Sequence, residues 1–363
     1  MNDEKQNSIE KIVKNLKKIV TEKISIILFY TTKRNIKKHN LNRKKEDVTK
    51  VILPEELTEE INIENLISQK YSEEILNFTK IIIEKFSKED LTIFYNNIKN
   101  LKVETVPSIA HIFLKDKGVY NIKTNKILIF EKSADVTIYH ELFHMASSKK
   151  IENNFFSGFE ISVPEYNYLP IGEGLTEGYT ELLARRYFNT DNQVYEEQVF
   201  YAKKLEQIIG KEKMESLYLN ADLNGLFNEL KEYATPKEIV QFNADIDHTL
   251  KFSGIADKKM LPEKIKEQYK TCAKNIYKFL IKCYTKKRFN EIETIEKKEI
   301  YVEKMIKFID EFVEYITDFP QGFFIGENII DVIDDETLQE FIDIGSEIIG
   351  FELPLELTPS NSK

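Results

Sequence analysis

The chain has 363 residues, a formal charge of −9 and 42% apolar residues, which suffices for two or three units with sizeable cores and excludes wholesale disorder. The mild acidity gives no general reason to expect nucleic-acid binding. Two cysteines, Cys272 and Cys283, exclude a disulfide framework: eleven positions on a helix is about three turns, too far to bridge, so both read as buried thiols on one face, in keeping with a reducing compartment.

In chain order, residues 6–22 place Ile9, Ile12, Val13 and Leu16 on one helical stripe. The run "ISIILFY" at 24–30 is too short for a membrane span and has no small-residue cleavage site, so it reads as a buried strand or helix turn. No other run approaches spanning length, and a cytoplasmic location is expected. Residues 33–50 are basic, while 301–363 carry fifteen acids against three bases. Both read as solvated surface, with docking of the basic arm on the acidic end as the second possibility. Two more helices, at 53–69 and 72–86, have Ser72 and Ser87 as expected N-caps followed by acids. The stretch 1–100 is therefore expected to be a helical N-terminal region.

From 101 to 131 the text changes to "LKVETVPSIAHIFLKDKGVYNIKTNKILIFE". β-Branched and aromatic residues dominate and "KDKG" and "KTNK" supply turns, so three or four short strands are expected, mainly antiparallel, with 126–131 the last. Ser133 or Asp135 can cap the helix that follows, whose apolar residues cover much of its circumference. Residues 150–170 read as loop with a hairpin at "FFSGFEISV", 174–187 as a second helix, and 192 onward as helix after helix broken at Pro236, Pro262 and Pro320. The expected fold class is α+β and mostly helical: a core at 101–190 with a small sheet, flanked by helical regions at 1–100 and 191–363.

The first of the two core helices reads "SADVTIYHELFHMASSKK" at 133–150. His140 and His144 are i and i+4, so both rings can direct a nitrogen to one point, and neutral imidazole is a strong zinc ligand. Glu141, one residue on, points beside that ion, where a general base for water must sit. The plain alternative is an amphipathic helix carrying two histidines by chance. The scarcity of histidine, five in the chain, and the apolar remainder of the helix weigh against it, because two buried histidines one turn apart need a partner.

A third ligand is sought in "PIGEGLTEGYTELLARR" at 170–186, where Glu173, Glu177 and Glu181 share one helical face. In the preferred register Glu177 is the ligand and Glu181 accepts the free N–H of a ligand histidine. In the other, Glu173 is the ligand and Glu177 its support, but Glu173 lies in "GEG", before the helix is expected to be established. Glu181 and Arg185 can also be a simple i,i+4 ion pair. Gly178 is expected to let the two core helices approach closely.

"HELFH" followed by a helix bearing "LTEGYTELL" resembles the gluzincin group of zinc metallopeptidases, over roughly residues 100–190. The resemblance implies a zincin-like core, one zinc ion, a third-ligand glutamate on a second helix, and an acid one turn later, matching Glu177 and Glu181; the glycine after the ligand matches Gly178. Two departures stand out. Thr176 replaces the asparagine often found before the ligand, and the step from His144 to Glu177 is 177 − 144 = 33 positions, longer than the group's usual spacing, so no substrate class is carried over. A metzincin pattern is excluded, since Lys150 stands where its third histidine is required.

The expected activity is zinc-dependent hydrolysis of peptide bonds, with Glu141 moving the proton of a metal-activated water to the leaving amine. Partners are expected to be peptide or protein substrates, not nucleic acid. For the oxyanion donor, His248 is the only histidine after Glu177, and Tyr166, Tyr168, Tyr179 and Tyr187 compete with it. His111 and His39 read as a strand residue and a solvent-facing residue. Substrate can add to the edge of 126–131, unless that strand is paired on both sides. The alternatives are a metal-dependent hydrolase of another amide or ester, and a non-enzymatic helical interaction protein that keeps a metal site.

Overall fold

The computed structural model describes residues 71–106, 118–130, 134–167, 169–190, 194–253 and 262–293, together with Leu66. The expectations placed on 6–22, 24–30, 33–50, 301–363, most of 53–69, Pro320, Ser133, His39, His111 and Tyr168 lie outside them. The architecture is α+β and mostly helical, as composition and periodicity predict.

Two helices lead in: α1 (Ser72–Lys85) and α2 (Thr92–Ile98). α1, the helix expected at 72–86, buries Ile75, Leu76, Phe78 and Ile82 along one face. Ser72 is the first helical residue and not the cap; Tyr71, at φ 64, occupies the cap position. Ser87 does cap the turn before α2, its Oγ accepting from the Asp90 N–H at 3.2 Å.

β1 (Lys102–Val106), β2 (Gly118–Asn121) and β3 (Lys126–Phe130) form a sheet ordered β1-β3-β2. β2 and β3 are an antiparallel hairpin through the turn predicted from "KTNK", with Asn125 at φ 48. β1 pairs parallel to β3, against the mainly antiparallel expectation for this stretch. After β1 the chain reaches the far side of β3, so the hairpin returns β3 in β1's own direction. β3 is thus interior, paired on both sides, and cannot offer an edge to substrate. Ile127 and Ile129 of β3 are fully buried, and both β2 and β3 pack on α3 (Ala134–Ala146).

The long connection after α3 is not plain loop. β4 (Ser148–Ile151), β5 (Asn154–Ser157) and β6 (Glu160–Ser162) form a second sheet, antiparallel throughout. The hairpin read in "FFSGFEISV" is β5–β6, turning through Gly158 and Phe159. A short 3₁₀ turn at Pro164–Tyr166 then leads to α4 (Glu173–Phe188). The remaining described helices are α5 (Glu196–Ile209), α6 (Lys211–Leu219), α7 (Leu223–Leu230), α8 (Pro236–Ser253) and α9 (Glu263–Glu293). Pro236 opens α8 and Pro262 immediately precedes α9, positions where a missing N–H costs nothing.

α4 is the central helix, packed on by α3, α5 and α8. A Cβ at Gly178 would lie 2.3 Å from the Gln198 carbonyl oxygen, so this glycine brings α4 against α5; it does not serve the approach of α3 to α4 that the sequence suggests. One hydrophobic cluster runs from Leu66 and α1 through both core helices to Tyr284 on α9, so residues from all three expected regions share a single core. Within it Phe78 meets Phe143 edge-on, and Phe188 stacks on Tyr139 at 4.2 Å. Cys283 is buried and Cys272 only half-buried; both are free. Among the described residues no helix is long and apolar enough to cross a membrane.

Candidate metal centre

α3 buries residues 137, 138 and 140–146, nearly all the described circumference. Its three polar residues of interest are included: His140 and Glu141 are 5% exposed and His144 9%. Groups this polar persist in a core only with partners, and α4 supplies them. His140 Nε2 lies 3.0 Å from Glu177 Oε2, His144 Nε2 lies 3.3 Å from Glu177 Oε1, and the two Nε2 atoms are 3.1 Å apart.

The far side of each ring is also engaged. His140 Nδ1 is 3.1 Å from Glu181 Oε2. An ionised carboxylate only accepts, so Nδ1 carries a proton and donates it. His144 Nδ1 faces Ser157 Oγ at 3.4 Å, and that oxygen also accepts from Ser148 Oγ at 2.8 Å. With both Nδ1 positions turned outward, both Nε2 atoms and the Glu177 carboxylate converge as electron-pair donors. Three such donors at one point require a positive centre. In its absence the proton takes that role. Burial alone would lower His140, but hydrogen bonds to Glu177 and Glu181 override it and raise its pKa to about 10. Burial would raise Glu177, yet the facing imidazoles hold it well below the usual carboxylate range.

The donor set also fits a metal. Ligand bonds of about 2.0–2.1 Å in a tetrahedron separate the ligands by ~3.3 Å, close to the spacings between these side chains. Among the described residues this trio is the one group of His, Cys, Asp and Glu donors that meets within 4.8 Å. Glu173 opens α4 and is not among them. The register with Glu177 inward and Glu181 behind it is therefore the one the fold adopts.

Glu181 serves both alternatives read from the sequence. Its Oε2 faces His140 and its Oε1 accepts from Arg185 Nε at 3.0 Å. Arg185 continues outward to Glu196 at 2.7 Å and to the Val194 carbonyl at 3.1 Å. These bonds bracket Tyr195, which adopts φ 57 and lays its ring against His140 at 5.7 Å. A positive φ is uncommon for an aromatic residue and marks a position held by its surroundings.

Glu141 stands beside the donors and not among them. Burial pushes its carboxyl up, His140 and His144 pull it down, and the Tyr120 backbone N–H donates to it. That N–H belongs to β2, which has no strand partner on its outer side among the described residues. The sheet edge nearest the centre is therefore β2.

Thr176 and the long connection from His144 to Glu177 meet at one point. Thr176 Oγ1 accepts from the Phe159 N–H at 3.0 Å and lies 3.3 Å from the Ser157 carbonyl. It ties α4 to the β5–β6 turn, and the sheet occupying the long connection delivers Ser157 to His144. At the other end of α4, Asp247 of α8 accepts from the N–H groups of Gly172 and Gly174, both at 2.8 Å. His248, next to it, is half-buried on α8 and outside the donor cluster. Tyr179 and Tyr187 are committed elsewhere, donating to Glu206 at 2.9 Å and Glu215 at 2.7 Å. Sequence reasoning missed Ser157 and Tyr195. The Gly158–Phe159 turn was the available signal for Ser157; nothing in the sequence marks Tyr195.

In comparison with known proteins, no family model, curated protein or solved structure matches this chain.

Proposed function

We propose that the protein is a zinc-dependent peptidase. The observation carrying this reading is the meeting of His140, His144 and Glu177 with both rings oriented from behind. The nitrogen–carboxylate donor set suits zinc. A divalent cation held by these three would supply Lewis acidity, polarising the scissile carbonyl and making water acidic enough to lose a proton near neutrality. Glu141 accepts that proton as the water oxygen bonds to the carbonyl carbon. It delivers the proton to the leaving nitrogen as the C–N bond breaks. Glu181 and Ser157 fix the tautomers of the two histidines, and Arg185 holds Glu181 in place. The substrate main chain is aligned along the outer edge of β2. For the oxyanion donor, Tyr195 is favoured over His248 because its ring lies against His140. Hydrolysis of another amide or ester would use the same groups.

The direct test is metal analysis of the purified protein beside peptide hydrolysis. About one zinc per chain is expected, with hydrolysis abolished by a chelator and restored by zinc. Folded protein that neither retains nor takes up zinc would remove the metal reading; a zinc-loaded protein that cuts nothing across a broad peptide set would favour the interaction-protein alternative.

A second expectation follows from Gly118. A Cβ there would lie 2.6 Å from Thr137 Cγ2 and 3.0 Å from Glu141 Oε1. In Gly118→Ala either β2 or the Glu141 side chain must move. Misplacing a reacting group by an ångström costs on the order of 10²-fold in rate. The variant should lose roughly that much kcat while keeping its zinc, which parallel metal and kinetic assays will read.

A further inference from the structure

The connection between the core helices carries one acid that the mechanism above leaves unused. Glu160 pairs directly with Ser157 across β5 and β6, and such partners share a sheet face with Cβ atoms about 4.5–5.5 Å apart. Ser157 Oγ is the atom against His144 Nδ1. Glu160 therefore stands at the rim of the donor cluster, one side chain away from a ligand imidazole, without belonging to the converging trio.

Its surroundings leave it short of positive charge. Ser162 Oγ donates to Glu160 Oε1 at 3.0 Å. The ionisable groups that act on it are Glu177, His144 and Asp247: two further acids, and a histidine turned toward Glu177. No lysine or arginine pairs with it among the described residues. Burial pushes its carboxyl above the usual range, as expected for an acid in a partly dry site without a counter-ion. Further along the same face the character reverses. Phe155, opposite Ser162, is covered by the ammonium groups of Lys123 and Lys150 at 5.1 and 5.7 Å. The basic end of this face is thus at Phe155 and its acidic end at Glu160, beside Ser157.

We infer that Glu160 is a specificity residue that binds a cationic group of the substrate, an ammonium or guanidinium, next to the scissile bond. The inference rests on the peptidase reading and adds the substrate class to it. An incoming cation would supply the counter-charge Glu160 lacks and form a charge-assisted hydrogen bond in a site shielded from water. Two sources fit this chemistry: the free α-amine of a peptide, or a lysine or arginine side chain beside the cut.

The test uses full-length, zinc-loaded protein and matched peptides: one with a free α-amine, its N-acetylated form, and acetylated peptides with lysine or arginine, against glutamine, at each position around the cut. Wild type should cleave the cationic member with a kcat/KM ~10–100-fold above its neutral partner, the size of a charge-assisted hydrogen bond. Preference for the free amine identifies the chain terminus as the source; preference for an internal lysine or arginine identifies the side chain. Glu160→Gln should bring the ratio close to one, and Glu160→Lys should invert it, both with wild-type zinc content and melting temperature. Equal cleavage of charged and neutral members by wild type overturns the inference while leaving the peptidase reading intact, and so does a preference that survives Glu160→Gln. Loss of zinc in Glu160→Gln also overturns it, by making the residue a support for the metal. No cleavage of any peptide overturns both.

Discussion

A Glu141→Gln variant is expected to bind zinc like the wild type and to hydrolyse peptides about 10²–10⁴-fold more slowly, the range ascribed to a positioned general base. That corresponds to about 3–5 kcal/mol of transition-state stabilisation. The substitution keeps the shape of a buried side chain and an oxygen to accept from the Tyr120 N–H. It removes only the capacity to take up a proton. The three converging donors are untouched, so metal content separates the two roles this glutamate could have. A variant that loses its zinc would make Glu141 part of the metal's support, and one that keeps full activity would end its assignment as base.

The second large effect is expected at Glu177. Glu177→Ala removes the carboxylate that meets both imidazoles, at 3.0 and 3.3 Å, and leaves two rings with no anionic partner between them. Zinc affinity should fall by more than the ~10–100-fold that loss of a supporting residue costs. Glu181→Gln should fall within that supporting range. Glu173→Ala should change affinity little, because Glu173 opens α4 outside the cluster. Competitive titration against a chromophoric chelator ranks the three variants. A larger loss at 173 than at 177 would reverse the assignment.

How much of this was legible in the sequence depended on whether local periodicity governed it. His140 and His144 meet because i and i+4 share a helix face, and Glu177 and Glu181 divide inner and outer roles for the same reason. Both relations are properties of a single helix, so spacing brings them into view, and the point where α4 begins favours Glu177 over Glu173. Ser157 and Glu160 reach the centre through strand register, which depends on where a two-residue turn falls. Tyr195 reaches it through a positive φ held by Arg185 on either side, a tertiary effect with no local mark. The parallel pairing of β1 with β3 was hidden likewise, since residue preferences report that a segment is extended but not which neighbour it joins. Gly178 was read correctly as a site of close approach and assigned to the wrong helix, because its position on α4 gives a direction and not the element that lies there.

The helix that presents Glu177 is enclosed along its middle turns. Leu175, Thr176, Gly178, Tyr179, Thr180, Glu181, Leu183 and Ala184 are all buried, under cover from three other helices. A ligand carried on a surface loop can let go of its ion by local fraying. Here the backbone that carries the carboxylate cannot withdraw unless the middle of the protein opens. Capture of a cation by these donors would thus be coupled to the cohesion of the whole body, and a fragment cut to the two donor-bearing helices and their strands would strip away the walls that keep Glu177 in place.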